Sequence, residues 1–263
     1  MAGRLEGKVI IVTGASRGLG QYCAVEYGRQ GASVAVAART EQVQNPKLPG
    51  TIHDTARMVD DAGGEGFAVV CNVADQGSVA AMVERVLERF GRIDVLMNNA
   101  GIQAPGNCST IELRHWDLVM RVNVNGTFYG ARAVLPHMIE RGDGNVINIS
   151  SVAAEMSRSG PYGVSKVAVE GFTERLAEEV REQGIAVNCL KPVGSVATPG
   201  MYFARDEDAP SMDEPDPLRD RYVEAAVLLA EQDAESCTGG IFNDAQAVER
   251  LADAETKASF AGL

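Results

Sequence analysis

The chain has 263 residues, 45% of them hydrophobic and 23% charged, with a formal net charge of −12. That is enough apolar material for one substantial core, and the acidic balance argues against nucleic acid or an anionic membrane surface as the main partner. A small anionic cofactor stays open, because a few positioned donors outweigh a distant net charge in screening salt.

Along the chain, short β-branched runs alternate with longer helix-period stretches. After an apolar run too short to span a membrane or serve as a signal, strands are predicted at 8–13, 33–38, 66–71, 93–98, 145–150 and 185–190. Helices are predicted at 18–30, 51–62, 75–90, 111–140 and 162–183. Right-handed crossovers between such strands give an α/β fold, a doubly wound parallel sheet with helices on both faces, in a single domain over 1–263. Two stretches are irregular. "EQVQNPKLPG" (41–50) reads as a surface loop, with a subunit or cofactor-edge contact as the alternative, and leads into Thr51 and Asp54 at capping-box spacing. "PGMYFARDEDAPSMDEPDPLRD" (199–220) mixes apolar residues with a proline-rich acidic run and is placed to cover a pocket as a lid. The segment from about 244 reads as a helix and a loose tail.

The five cysteines (Cys23, Cys71, Cys108, Cys189, Cys237) lack CxxC spacing and read as buried thiols of a reducing cytoplasm. His53, His115 and His137 are dispersed, and no metal site is expected.

Chemistry first shows in "TGASRGLG", where Gly14, Gly18 and Gly20 fall between the first strand and its helix. Glycines permit a sharp turn and close backbone approach, and a helix N-terminus offers free N–H groups to a pyrophosphate. This is the arrangement of a Rossmann-like dinucleotide site. Such a site for NAD carries a carboxylate at the end of the second strand. Here that strand ends in Ala38 followed by Arg39, with Arg17 inside the glycine turn. Two guanidinium groups favour a ribose 2′-phosphate, so NADP(H) is preferred and NAD(H) remains possible.

A second feature is "GPYGVSKVAV", with Tyr162 and Lys166 four apart, a spacing any helix can carry. Taken with "TGASRGLG" (13–20), "NNAG" (98–101), "RVNVNG" (121–126) and "INISS" (147–151), it makes the chain from about 5 to 200 resemble the short-chain dehydrogenase/reductase family. "NPKLPGTI" is similar to the longer loop of hydroxysteroid-dehydrogenase-like members. The resemblance implies a catalytic tetrad of Asn123, Ser151, Tyr162 and Lys166. On a helix Lys166 would share a side with Tyr162 and lower its pKa, making it a usable proton donor while Ser151 hydrogen-bonds the developing oxyanion. Asn123 would anchor a water, although its residue type equally suits a helix-bending role. For the cofactor the resemblance implies Gly14, Ser16, Arg17, Gly18, Leu19, Gly20 and Arg39 on the phosphate side. It implies Asn72, Val73, Asn99, Ala100 and Gly101 near the adenosine, and Tyr162, Lys166, Pro192, Val196 and Thr198 near the nicotinamide and phosphates. Asn98 is expected to tie neighbouring strands.

Several positions depart from the family pattern. "SVAAEMSRSGPY" is short, which leaves Ser150 as an alternative to Ser151. Asn72 stands where an Asp is common. Val193 separates Pro192 from Gly194, and the C-terminal region lacks an Asp-Gly-Gly ending. The implied activity is hydride transfer between NADP(H) and a mostly apolar ketone or secondary alcohol, by a cytoplasmic homotetramer or homodimer. The alternatives are a 3-oxoacyl-thioester reductase, whose acidic carrier protein would meet no obvious basic patch, and a non-catalytic NADP(H)-binding redox sensor.

Overall fold

The computed structural model describes residues 3–194, 196–200, 202 and 214–263. Seven parallel strands form one sheet in the order β3-β2-β1-β4-β5-β6-β7. They are β1 (Val9–Thr13), β2 (Ser33–Ala38), β3 (Glu65–Val70), β4 (Val95–Asn98), β5 (Gly144–Ile149), β6 (Ile185–Lys191) and β7 (Ile241–Asn243). The helices are α1 (Gly18–Arg29), α2 (Ile52–Asp61), α3 (Gln76–Phe90), α4 (Leu113–Met120), α5 (Gly126–Arg141), α6 (Gly160–Val180), α7 (Pro217–Ala230), α8 (Asp244–Leu251) and α9 (Ala254–Ser259).

Strands β1, β5 and β6 are buried at every position, as expected when helices cover both faces of a parallel sheet. One apolar cluster joins the sheet to α1, α2, α7 and α8, and the other joins it to α3, α5 and α6. Helix starts follow local chemistry. The Thr51 hydroxyl accepts from the Asp54 N–H at 3.0 Å, and the Asp75 carboxylate accepts from the Ser78 N–H at 2.7 Å. Asp54 does not complete a capping box by reaching back to the Thr51 backbone; its carboxylate instead accepts from the Thr51 hydroxyl at 2.7 Å.

The doubly wound sheet matches the sequence expectation, with four differences. The predicted 111–140 helix is two helices joined by a π-turn at Arg121–Asn125. Strand β7, which pairs with the end of β6, comes from "GGIFN", too short to register as a strand pattern. The 199–220 stretch is no continuous loop, since α7 begins at Pro217 with the Asp216 side chain accepting from the Leu218 and Arg219 N–H groups. The rest of the expected lid, Met201 and 203–213, lies outside the described residues. The expected loose tail carries α9 and ends with the Leu263 carbonyl accepting from Arg221 at 2.9 Å.

The sheet order reverses between β1 and β4, and in open parallel sheets ligands bind beyond the strand C-termini at that switch point. The glycine turn follows β1 there, and "NNAG" follows β4.

Candidate active site

The turn after β1 leaves the left side of the switch point. Gly14 (φ 68°) and Gly18 (φ 61°) occupy the left-handed region that favours glycine. A Cβ on Gly14 would lie 2.8 Å from the Ala100 Cα, and one on Gly20 would lie 2.3 Å from the Asn99 Nδ2. Gly20 therefore lets α1 pack against the β4 loop. Asn99 Nδ2 donates to the Thr13 carbonyl at 2.8 Å. The Thr13 hydroxyl accepts from the Asn99 and Ala100 N–H groups at 3.0 and 3.1 Å. Thr13 was not among the sequence candidates; its position next to the glycine turn was the available signal.

These residues form a cradle a phosphate could enter. Arg17 precedes α1 with no side-chain cap, the first turn of α1 holds no acid, and the helix N–H groups of Gly18, Leu19 and Gly20 face the turn. Burial, and next the nearby Arg39, lower the Arg17 pKa. Two cations brought close suit an anion between them, so the turn fits the phosphates of a nicotinamide dinucleotide. The 41–50 loop contributes as well. Arg17 donates to the Pro49 carbonyl at 3.1 Å and to the Gly50 carbonyl at 3.2 Å, and a Cβ on Gly50 would sit 2.3 Å from the Ser16 carbonyl oxygen. The loop is mostly exposed, as the surface-loop reading expects, while its end at Pro49 and Gly50 packs against the glycine turn.

Beyond β3, where the adenosine is expected, Asn72 is exposed and its Oδ1 accepts from the Ala74 N–H at 3.2 Å. Val73 packs where a Cβ on Gly126 would fall, 3.0 Å from its Cγ2. Gly101 is exposed beside Asn123 and Lys166. Beyond β6, half-buried Pro192 and buried Val196 lead to Thr198, whose side chain lies 3.4 Å from the position of a Gly18 Cβ. Tyr22 of α1 donates to the Ala197 carbonyl at 3.4 Å, holding this segment against the glycine turn.

Ser151, Tyr162 and Lys166 meet at the end of β5. Ser151 sits close enough to the Tyr162 hydroxyl to lower its pKa, and it also caps the short 3₁₀ turn at Val152–Ala154. Ser150 instead donates to Glu170 at 2.7 Å, facing away from Tyr162. The geometry therefore brings Ser151, not Ser150, to the tyrosine.

The expectation that Lys166 depresses the Tyr162 pKa is not met. Burial raises the Tyr162 hydroxyl above the ordinary tyrosine value, and the nearby Ser151 hydroxyl is the opposing effect. The Lys166 ammonium lies 5.5 Å from the Tyr162 ring centroid and donates to the Ile149 carbonyl at 2.7 Å. Burial also lowers Lys166 itself to about 8.

Asn123 is 1% exposed within the π-turn, and all of its amide is engaged. Oδ1 accepts from the Ile102 N–H at 2.8 Å, and Nδ2 donates to the Ile102 carbonyl and the Ser165 hydroxyl, both at 2.9 Å. Ser165 in turn donates to the Tyr162 carbonyl at 2.6 Å. Asn98 donates to Asn148 across β4 and β5 at 3.0 Å, the expected strand tie. Ser151 and Tyr162 open onto a cavity of about 360 Å³ whose other wall includes Gln103, Asn107, Met156 and Arg158.

Sequence candidates also missed Lys191, 7% exposed, which pairs with Glu155 at 2.6 Å and Glu170 at 3.0 Å. These pairs tie the segment after Ser151 to α6 and β6. Four cysteines are buried as expected, while Cys108 is exposed, and none is disulfide-bonded. No helix of the described residues is long and apolar enough to cross a membrane.

Fold and site define a nucleotide-dependent oxidoreductase architecture. A profile of the short chain dehydrogenase family matches residues 8–208, and the chain belongs to the short-chain dehydrogenase/reductase family. It is 32% identical over 251 residues to the (2S)-[(R)-hydroxy(phenyl)methyl]succinyl-CoA dehydrogenase subunit BbsD of Thauera aromatica, covering 90% of this chain and 94% of that one. It is also 32% identical to human hydroxysteroid dehydrogenase-like protein 2, over 76% of this chain, spanning about half (48%) of that longer relative. Among solved structures it resembles a short chain dehydrogenase of Mycobacterium thermoresistibile (TM-score 0.84, 30% identity, 95% of this chain and 89% of that one). It also resembles a metagenomic short-chain oxidoreductase in complex with NADP (TM-score 0.73, 30% identity, 91% and 98%).

Proposed function

We propose that the protein transfers a hydride between NADP(H) and a ketone or secondary alcohol with an apolar flank. The observation that carries this is Ser151 beside Tyr162, with buried Lys166 behind the phenol ring, at the wall of a cavity of about 360 Å³. Arg17 and Arg39 support NADP(H) over NAD(H), and the relative solved with NADP accords with that choice. The glycine turn and the α1 N–H groups would hold the pyrophosphate, with Ser16 and Thr198 beside it, while Asn99, Ala100, Gly101, Asn72 and Val73 would face the adenosine. Pro192 and Val196 would border the nicotinamide. When bound, the nicotinamide supplies or accepts the hydride.

Tyr162 gives its proton to the carbonyl oxygen during reduction and takes it back during oxidation. The Ser151 hydroxyl donates to the same oxygen and lowers the cost of its developing charge. Lys166, which donates to the Ile149 carbonyl behind the phenol, would hold the nicotinamide ribose. Asn123 positions these groups through Ser165 and the Tyr162 carbonyl. The apolar flank is drawn from Ala104, Pro105, Val152, Ala153 and Met156 of the cavity wall. The expected contributions of Met201 and Phe203 lie outside the described residues. The assembled Ser151–Tyr162 pair supports turnover over a silent nucleotide-sensing role. Exposed Phe128 (47%), Val164 (44%) and Val167 (53%) on adjoining α5 and α6 support a homo-oligomer, to be read by light scattering.

The test is a ketone panel followed by NADPH absorbance. The parent should turn over with NADPH better than with NADH. Tyr162→Phe should lower turnover by about a hundredfold or more while NADPH still binds. Undiminished turnover by Tyr162→Phe would refute the mechanism, and an NADH preference would refute the cofactor assignment.

A further inference from the structure

We infer that the substrate carries an anionic group, a carboxylate or equivalent, on the side of the molecule away from the reacting carbonyl, and that Arg158 receives it. The inference rests on the oxidoreductase reading above and adds the charge class of its substrate.

The argument begins with the cavity. Among the described residues that line it there is one cation, Arg158, and no acid. In a chain of net charge −12 that bias is local, and over one Debye length of about 8–10 Å it is the local charge that an incoming substrate meets. Arg158 is exposed, and among the described residues no carboxylate pairs with it, so its five donors face solvent at the cavity wall. Most other exposed arginines of the molecule have an acid close by, as Arg57 has Asp54 and Arg114 has Glu112. The acid nearest to Arg158 in its own segment, Glu155, is drawn off by Lys191 at 2.6 Å.

The wall that presents Arg158 is fixed at both ends. Lys191 ties Glu155 to Glu170, and the Ser159 hydroxyl donates to the Met156 carbonyl at 2.8 Å, closing the turn that contains Arg158. At the far end a Cβ on Gly160 (φ 58°) would lie 2.8 Å from the Gly106 carbonyl oxygen, so the Arg158 wall and the 103–107 wall touch there through two glycines. The second wall offers the amides of Gln103 and Asn107, which can hydrogen-bond the same anion without adding charge. Between the walls stand Ser151 and Tyr162, which bind the carbonyl oxygen. A substrate spanning the cavity thus places its carbonyl at one end, apolar carbons along Met156 and Pro105, and an anion at Arg158.

The experiment compares straight-chain oxo acids, from levulinate upward in length, each with its own methyl ester, using NADPH as reductant. The parent should favour the acid over the ester at one chain length by about tenfold in kcat/KM, the size of one partly exposed charge-assisted hydrogen bond. Arg158→Gln should remove that preference through KM, leave ester turnover and NADPH affinity within about twofold, and abolish the rise of the acid's KM with added salt. Arg158→Lys should restore part of it. An equal loss on acid and ester, or no acid preference at any chain length in the parent, would overturn the inference. Ester turnover and NADPH binding report on the oxidoreductase reading separately, so the two can fail independently.

Discussion

Replacing Lys166 with methionine separates the cost of burying a charge from the use made of it. The ammonium is 4% exposed, and burial brings its pKa from 10.5 to about 8. Below pH 8 folded and unfolded chains both hold the proton, and the folded state bears the full cost. Between pH 8 and 10.5 the folded state releases the proton while the unfolded chain keeps it, so the cost shrinks, and above 10.5 it is gone. At about 1.4 kcal/mol per pKa unit the cost near pH 7 is about 3 kcal/mol. Against it, methionine leaves the Ile149 carbonyl without its 2.7 Å donor, a loss of about 1–2 kcal/mol. Lys166→Met should therefore be more stable than the parent by about 1–2 kcal/mol at neutral pH, although turnover is lost. The advantage should fade above pH 8 and reverse between about pH 9 and 10, where the shrinking cost of burial falls below the lost hydrogen bond. Urea unfolding followed through the fluorescence of Trp116, at a series of pH values without cofactor, measures this difference. A variant less stable than the parent at pH 7, or a difference that stays flat between pH 7 and 10, would refute the reasoning.

Other substitutions test the remaining parts of the site. Ser151→Ala should lower kcat roughly a hundredfold, the worth of one oxyanion donor. Ser150→Ala should keep turnover but lose about 1 kcal/mol of stability, since Glu170 retains only Lys191; the reverse pattern would reassign the serine. Arg39→Ala should weaken NADPH binding about tenfold by fluorescence titration and leave NADH nearly unchanged. Gly20→Ala places a Cβ 2.3 Å from the Asn99 Nδ2 and 2.8 Å from the Gly14 carbonyl oxygen, and should cost about 1–3 kcal/mol together with cofactor affinity. Gly171→Ala, whose Cβ would meet only the far end of Arg175 at 3.5 Å, should instead stabilise α6 by about 0.5–1 kcal/mol in thermal unfolding.

The parts of this molecule that could be read from sequence are those fixed by local chemistry. β2 fell on its predicted bounds because a run of small and β-branched residues between a glycine turn and an arginine has few other uses. The glycine turn and the Tyr162–Lys166 spacing were likewise visible, since each demands particular residue types at particular intervals. What escaped was set by tertiary contact. The 41–50 segment looks like any polar loop until Gly50 is seen against Ser16. Lys191 looks like a strand end until its two carboxylates arrive from residues 155 and 170, far away in sequence. The Tyr162 pKa failed for the same reason: helical spacing placed the ammonium on the correct side, but only packing reveals that it points to Ile149 and that burial dominates.

The π-turn shows how α6, the helix that carries Tyr162 and Lys166, is held in place. A continuous α-helix from 113 to 141 would satisfy its own backbone and turn Asn123 with its neighbours around the helix. The one-residue widening at Arg121–Asn125 instead leaves the Asn123 amide free to clasp the Ile102 backbone as an adjoining strand would, one bond given and one taken. Its remaining donor reaches Ser165, and Ser165 holds the Tyr162 carbonyl in the first turn of α6. Because every polar atom in this chain is matched inside a buried region, moving any one leaves another unsatisfied at about 1–3 kcal/mol. The loop after β4, which borders the cofactor cradle, is therefore mechanically coupled to the helix that carries Tyr162 and Lys166. The Thr127 hydroxyl, bonded to the Asn123 carbonyl at 2.8 Å, fixes the turn from below, and so the position of Tyr162, the proposed proton donor, is set by residues on neighbouring elements.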